Sequence, residues 1–233
     1  MHMRPDILTG GRMRRSARRG FTLVELLVVI GIIVLLLGIL APAIMQALQM
    51  AERGLSQSNL NMIEAGVKAY SVDFDDAYPP SDGAAAGYSG WDGSELLTLL
   101  LTGYGPDTGR KGEPSSNLFS DDGCEGWGFR LKLRGRVYGP FAGVEGLPMT
   151  LKGNDRRVFT DKFDNVIRYY VYDKDTDSYD AADDDDPPSD FSAYIKDGSG
   201  NYYRRDFLLM SEGADGQWDD PDDRNDDVTN FTQ

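Results

Sequence analysis

Hydrophobic and polar positions divide this chain into unlike parts. From Leu26 to Met45 twenty residues run without a charge, interrupted only by Gly31, Gly38 and Pro42. At a helical rise of about 1.5 Å per residue they span about 30 Å, the thickness of a bilayer core. Beyond them Leu48, Ala51, Leu55, Asn59, Ile63, Val67, Tyr70 and Phe74 recur at three- and four-residue steps, with polar residues between. That spacing predicts a continuing helix with one stripe packed on a globular domain. Gly54 and Gly66 weaken the helix modestly, and Tyr78-Pro79-Pro80 ends it. A helix from Phe21 to Asp75 would be about 80 Å long.

A second helix is predicted over 94–103, capped by Ser94, filled by "ELLTLLLTGY" and closed by Gly103. Residues 105–157 are rich in glycine and turn formers, with strands predicted at 129–133 and 136–138. "NVIRYYVYD" (165–173) and "NYYRRDFLLMS" (201–211) read as strands from their aromatic and β-branched content. "DTDSYDAADDDDPPSD" (175–190) reads as an acidic loop, and the last 22 residues as loop. The fold class is α+β, a long N-terminal helix packed on a small antiparallel sheet.

Charge sharpens the division. Residues 1–20 carry six arginines and one acid, a net +5, while residues 21–233 carry −19, for −14 over the 233 residues. The basic flank places the N-terminus in the cytoplasm and the body across the membrane. So acidic a body repels phosphates, so no nucleic-acid partner is expected. It suits a solvated exported domain or a binder of hard cations. One histidine, His2, and one cysteine, Cys124, leave the body without a histidine-based triad, a histidine-rich zinc site or an intrachain disulfide. No glycine-rich phosphate loop stands between a strand and a helix, and no enzyme activity is expected.

The apolar run admits three ordinary readings: an uncleaved membrane anchor, a secretory signal peptide cut at Ala41-Pro42-Ala43, or a buried soluble helix. Its length argues against the second, and its length and basic flank against the third. Glu25 fits none of them, because a carboxylate within a membrane span costs roughly 2.5–3.5 kcal/mol at mid-bilayer, less near the interface, and is ordinarily there to meet a partner.

Gly20-Phe21-Thr22-Leu23-Val24-Glu25, between a basic leader and the apolar run, resembles the type IV prepilin and pseudopilin signature. The resemblance implies that a prepilin peptidase cuts after Gly20 and N-methylates Phe21. It makes Glu25 the fifth residue of the mature chain and Pro42 the helix-kinking proline. It also implies a lollipop-shaped subunit that polymerises through its N-terminal helix, with Glu25 paired to a neighbour's N-terminal amine and fixing the axial stagger.

At the other end nine acids lie from Asp206 to Asp227. So dense a cluster is either a solvated tail or a calcium site of carboxylate and carbonyl oxygens. "GADGQ" followed by "DDVTNF" resembles the C-terminal loop of the major pseudopilin of type II secretion, as "DKFDN" (161–165) and "AYPPS" (77–81) resemble other pieces of it. This implies calcium held by Asp215, Asp226 and Asp227, with the carbonyl of Glu212 as a further ligand. "WDDPDDR" departs from the pattern and offers Asp219, Asp220, Asp222 or Asp223 as substitutes. A metal clip would close a loop that many type IV pilins close with a disulfide. Asp173, Asp175, Asp177 and Asp184 have part of an EF-hand spacing but lack its glycine and its final glutamate, so a solvated loop is expected there. Residues 104–160 and 174–204 read as insertions.

The resulting expectation is a leader at 1–20, a transmembrane and assembly half-helix at 21–45, a periplasmic half at 46–75 and a globular domain at 76–233. The chain would be a single-pass inner-membrane protein, processed and polymerised into a periplasmic pseudopilus of type II secretion. Its partners would be the prepilin peptidase/N-methyltransferase, minor pseudopilins and an inner-membrane secretion platform. The alternatives are a type IV pilin of a surface fibre, and a monomeric signal-anchored calcium-binding protein.

Overall fold

The structure is a computed structural model that describes residues 21–103, 127–131, 135–153, 156–219 and 226–231. The chain divides into two compact units, Met1–Gln46 and Ala47–Gln233. The helix α1 (Leu23–Asp73) contributes to both, with Pro42 inside it. In the first unit every described residue is exposed, as a segment built for lipid is when no lipid surrounds it.

The second unit is α+β, as the sequence predicts. Its described helices are the C-terminal part of α1, α2 (Gly93–Thr102) and the short α3 (Phe191–Tyr194). The strands are β1 (Phe129–Arg130), β2 (Val137–Tyr138), β3 (Met149–Lys152), β4 (Arg156–Phe159), β5 (Arg168–Val171), β6 (Phe207–Ser211) and β7 (Val228–Thr229). They pair antiparallel as β1–β2, β3–β4 and β5–β6–β7. Tyr169 faces Leu209 across the central ladder and Met210 faces Thr229.

The face of α1 that enters the core differs from the predicted stripe. Ser56, Leu60, Ile63, Gly66, Val67 and Tyr70 are buried, whereas Leu48, Ala51 and Leu55 are exposed. Each four-residue step advances a helical position by about 40°, so a stripe of mostly fours walks around the helix. Leu48, Ala51 and Leu55 thereby lie about a quarter-turn from the buried face. The helix instead meets the C-terminal segment through polar groups. Arg53 donates to the Asp227 carbonyl at 3.3 Å, Gln57 to the Thr229 carbonyl at 3.3 Å, and the Lys162 N–H donates to Ser56 Oγ at 3.0 Å.

The second helix ends at Gly103, as expected, with φ 67° in the left-handed region. Its N-cap is Asp92 and not Ser94: Asp92 accepts from the Glu95 N–H at 2.9 Å and Glu95 returns the bond to the Asp92 N–H at 3.2 Å, a reciprocal capping box. All ten residues of α2 are buried, because it packs on β4 and β5, with Leu101 close to Gly66 of α1. The approach is close enough that a Cβ on Gly93 would fall 2.1 Å from the Tyr169 carbonyl oxygen.

Both faces of the central sheet are covered, which explains why its strands read as continuous apolar runs. Ile167, Tyr169, Phe207 and Leu209 join the core beneath α1 and α2. Tyr170, Leu208 and Met210 point the other way, into a second cluster with Tyr179, Phe191, Tyr194 and Phe231. Residues 174–204, an insertion by the sequence reading, thus supply much of that second layer.

Candidate functional site

The first element of the site is the start of α1. Thr22 and Glu25 form a capping box: the Thr22 N–H and hydroxyl donate to Glu25 Oε2 at 2.9 and 2.8 Å, and the Glu25 N–H donates to Thr22 Oγ1 at 3.2 Å. Capping boxes satisfy backbone donors that the first helical turn leaves without intrahelical partners. The Thr-x-x-Glu spacing of this cap is a readable sequence signal, additional to the charge of Glu25. Phe21 is 80 % exposed and precedes the cap directly. Gly20 and the leader lie outside the described residues.

The second element is the loop between β6 and β7. Gly213 begins it with φ 70°, and a Cβ there would lie 2.1 Å from the Asp226 carbonyl oxygen, so the loop closes only around glycine. Asn165 donates its side-chain amide to the Gly213 carbonyl. Asn165 is itself held by the buried Asp161, which accepts from the N–H groups of Phe163 and Asn165 at 2.8 and 2.9 Å and from Ser211 Oγ at 2.7 Å. The "DKFDN" turn is therefore the base on which the acidic loop stands.

Within the loop, Asp215, Asp219 and Asp226 each present a carboxylate oxygen, and these oxygens all lie within 4.8 Å of one another. Ligands about 2.4 Å from one hard cation are separated by at most about 4.8 Å, so these three carboxylates could share one such cation. The Asp215 N–H donates to Asp226 Oδ2 at 2.8 Å, and the Asp226 N–H to Asp219 Oδ2 at 3.3 Å, so the backbone holds the carboxylates together against their repulsion. Burial pushes the Asp226 carboxyl up, and the charges of Asp215 and Asp219 add to the rise.

Asp227 is placed differently. Its carboxylate is buried, accepting from the Tyr194 hydroxyl and, at 3.2 Å, from the Asp219 N–H. Its Oδ1 is enclosed without a hydrogen-bond partner among the described residues. Burial pushes this carboxyl up to about 6. This enclosed oxygen and the three clustered carboxylates are donors of the kind that could hold a hard cation. The Glu212 side chain turns to Arg168, with Oε1 3.8 Å from the guanidinium. Of the predicted carboxylate ligands the structure thus groups Asp215 and Asp226 with Asp219, one of the alternatives, and leaves Asp227 adjacent through Asp219; Asp220, Asp222 and Asp223 lie outside the described residues.

The partial EF-hand spacing does not gather into a site. Asp173 closes a tight turn by accepting from the Asp175 N–H and the Thr176 hydroxyl at 2.8 and 2.7 Å, while Asp177 accepts from the Tyr172 hydroxyl. Asp184 is buried elsewhere, at the N-terminus of α2. It accepts from Ser94 N–H at 2.8 Å, Ser94 Oγ at 3.2 Å, Tyr169 N–H at 3.0 Å and Asp185 N–H at 2.8 Å, with Lys152 Nζ 3.8 Å away.

No curated protein and no solved structure matches this chain. Residues 15–41 match the prokaryotic N-terminal methylation motif, a span that includes Gly20, Phe21 and Glu25. Together with a helix long and apolar enough to cross a bilayer, that match supports a type IV prepilin-like chain, processed by a prepilin peptidase and associated with the membrane.

Proposed function

We propose that this chain is a structural subunit of a type II secretion pseudopilus, cleaved after Gly20, methylated at Phe21 and polymerised from the inner membrane through α1. It catalyses nothing itself. A cytoplasmic ATPase acting through a membrane platform would drive assembly, and minor pseudopilins would complete the filament. The observation that carries the choice of a secretion pseudopilus is the acidic loop: Asp215, Asp219 and Asp226 gathered on a domain that follows a prepilin-type helix.

Calcium, when bound there, would supply the positive charge that lets these carboxylates approach, and so stabilise the fold between β6 and β7. At a calcium concentration about a hundred times its Kd the domain should gain about 2.7 kcal/mol, read as a rise in unfolding midpoint. Asp219→Ala should remove that gain. The gain should also shrink as pH falls through about 6, where Asp227 takes up a proton. A midpoint indifferent to calcium at pH 7.5 overturns the metal assignment.

The processing route is tested by intact-mass and N-terminal peptide spectrometry on protein extracted from native membranes. The expected mature chain begins with N-methylated Phe21. A chain beginning after Ala43, or one retaining its arginine leader, contradicts the proposal and favours a secreted or anchored calcium-binding protein. Fibres on the cell surface, in place of periplasmic filaments, would assign the subunit to a surface pilus.

A further inference from the structure

A groove of about 910 Å³ opens between the C-terminal end of α1, the segment after it and the turn following β5. Its volume is that of a small-molecule site. Two kinds of residue line it. Tyr70, Phe74, Tyr88 and Phe129 form aromatic walls, with the Tyr70 and Phe74 rings stacked at 4.1 Å. Asp82, Asp173, Asp180 and Asp183 supply carboxylates, and among its described lining residues there is no lysine, arginine or histidine. Arg205, which sits 5.9 Å over the Tyr172 ring and 3.6 Å from Asp177, is not one of the lining residues.

The tyrosines point to a ligand independently of the acids. Tyr70 and Tyr88 are only 7 % and 6 % exposed, both line the groove, and neither hydroxyl has a hydrogen-bond partner among the described residues. Burial pushes both phenols up to about 12, so they stay neutral and keep lone pairs available to a donor. Asp183 is bonded to Ser81 Oγ at 2.5 Å. Burial nonetheless raises its proton affinity, and the charges of Asp180, Asp82 and Asp173 add to that rise. An aromatic pocket with surplus negative charge and unused acceptors suits a cation bearing N–H groups on an apolar stem.

We propose that this groove binds an alkylammonium or alkylguanidinium group. The stem lies along Leu100, Val171 and the aromatic rings, and the charged head is shared by the two tyrosine hydroxyls and the acidic rim. The same chemistry can arrive as a free amine or as a lysine or arginine side chain of a protein partner. This site stands apart from the acidic loop and does not depend on filament assembly.

The test uses the full chain in detergent micelles, saturated with calcium to occupy other acidic sites, and isothermal titration with n-butylammonium. Saturable binding is expected, with none for the neutral isostere n-butanol. Tyr88→Phe keeps the ring and its packing on Trp91 and should weaken binding about fivefold or more; Asp183→Asn and Asp180→Asn should each weaken it about tenfold, as expected for charge-assisted contacts. A lysine tripeptide that binds more than about tenfold tighter than the free amine assigns the source to a protein side chain; equal affinity assigns it to a free amine. Absence of saturable binding, equal binding of the neutral isostere, or unchanged affinity in both Tyr88→Phe and Asp180→Asn overturns the site.

Discussion

Asp184→Ala should lower the stability of the globular unit by roughly 3–5 kcal/mol. The carboxylate ties its own loop (175–190) to α2 and β5, accepting from Ser94, Tyr169 and Asp185. Alanine leaves the buried N–H groups of Ser94 and Tyr169 without partners, at roughly 1–3 kcal/mol each, and removes a neighbour of Lys152. Burial, with the Asp92 charge close by, lifts the Asp184 carboxyl from the ordinary 3.8 to about 7, against the Tyr169 N–H and the charges of Lys152 and Arg168. The folded state therefore holds this proton more tightly than the unfolded state between about pH 4 and 7. Its contribution to stability is greatest at the acid end of that window and declines as pH rises through it. Asp184→Asn keeps the shape without the titration, so its unfolding midpoint should vary less over that range than the wild type's. Urea unfolding of both variants at pH 5 and pH 8 checks this. A wild-type stability that rises between those values by the amount Asp184→Asn lacks would contradict the assignment.

Glu25→Ala should abolish incorporation into filaments while leaving membrane insertion and the unfolding midpoint of the Ala47–Gln233 unit unchanged. Leaving one partner of a buried ion pair alone costs roughly 3–5 kcal/mol, a factor of more than about a hundred in an association constant. The capping box complicates a simple reading, because alanine also strips the Thr22 N–H and hydroxyl of their acceptor. Glu25→Gln separates the two effects, since the amide oxygen can still accept from Thr22 but carries no charge. Filament yield measured by shearing and sedimentation should fall for both variants. Normal filaments from Glu25→Gln would sink the charge-pairing account and leave the cap as the function of this residue.

The membrane helix, its signature and the two principal strands were legible because each rests on local pattern: charge-free length, fixed motif spacing, or a run of aromatic and β-branched residues. Where long-range packing decides, sequence pattern gave less. The β3–β4 hairpin went unseen because Lys152, Arg156 and Arg157 dilute its apolar content; its hold on α2 is partly ionic, with Arg156 2.7 Å from Glu95 and 4.3 Å over the Trp91 ring. Asp184 stood in a row of four acids, and nothing local distinguishes the buried one from Asp185 and Asp186. In the loop between β6 and β7 the glycines and the base turn were readable, but the gathering of Asp215, Asp219 and Asp226 rests on the close approach of Gly213 to Asp226, which no spacing rule encodes.

The Thr22–Glu25 cap lies wholly downstream of Gly20, so removing the leader would leave the start of α1 intact. It would also set a new ammonium at Phe21, one residue ahead of the cap, against the positive pole of the helix macrodipole. Like charge at that pole costs about 0.3–1 kcal/mol even where water screens it, and more where lipid excludes water. Glu25 offsets part of this from within its own first turn, but both of its bonds to Thr22 already fall on one oxygen. A processed subunit standing alone would then carry a partly compensated electrostatic penalty at its tip, relieved further by a second carboxylate from a neighbouring helix. Proteolysis would thereby make solitude less favourable for the subunit, independently of any energy supplied to drive the filament outward.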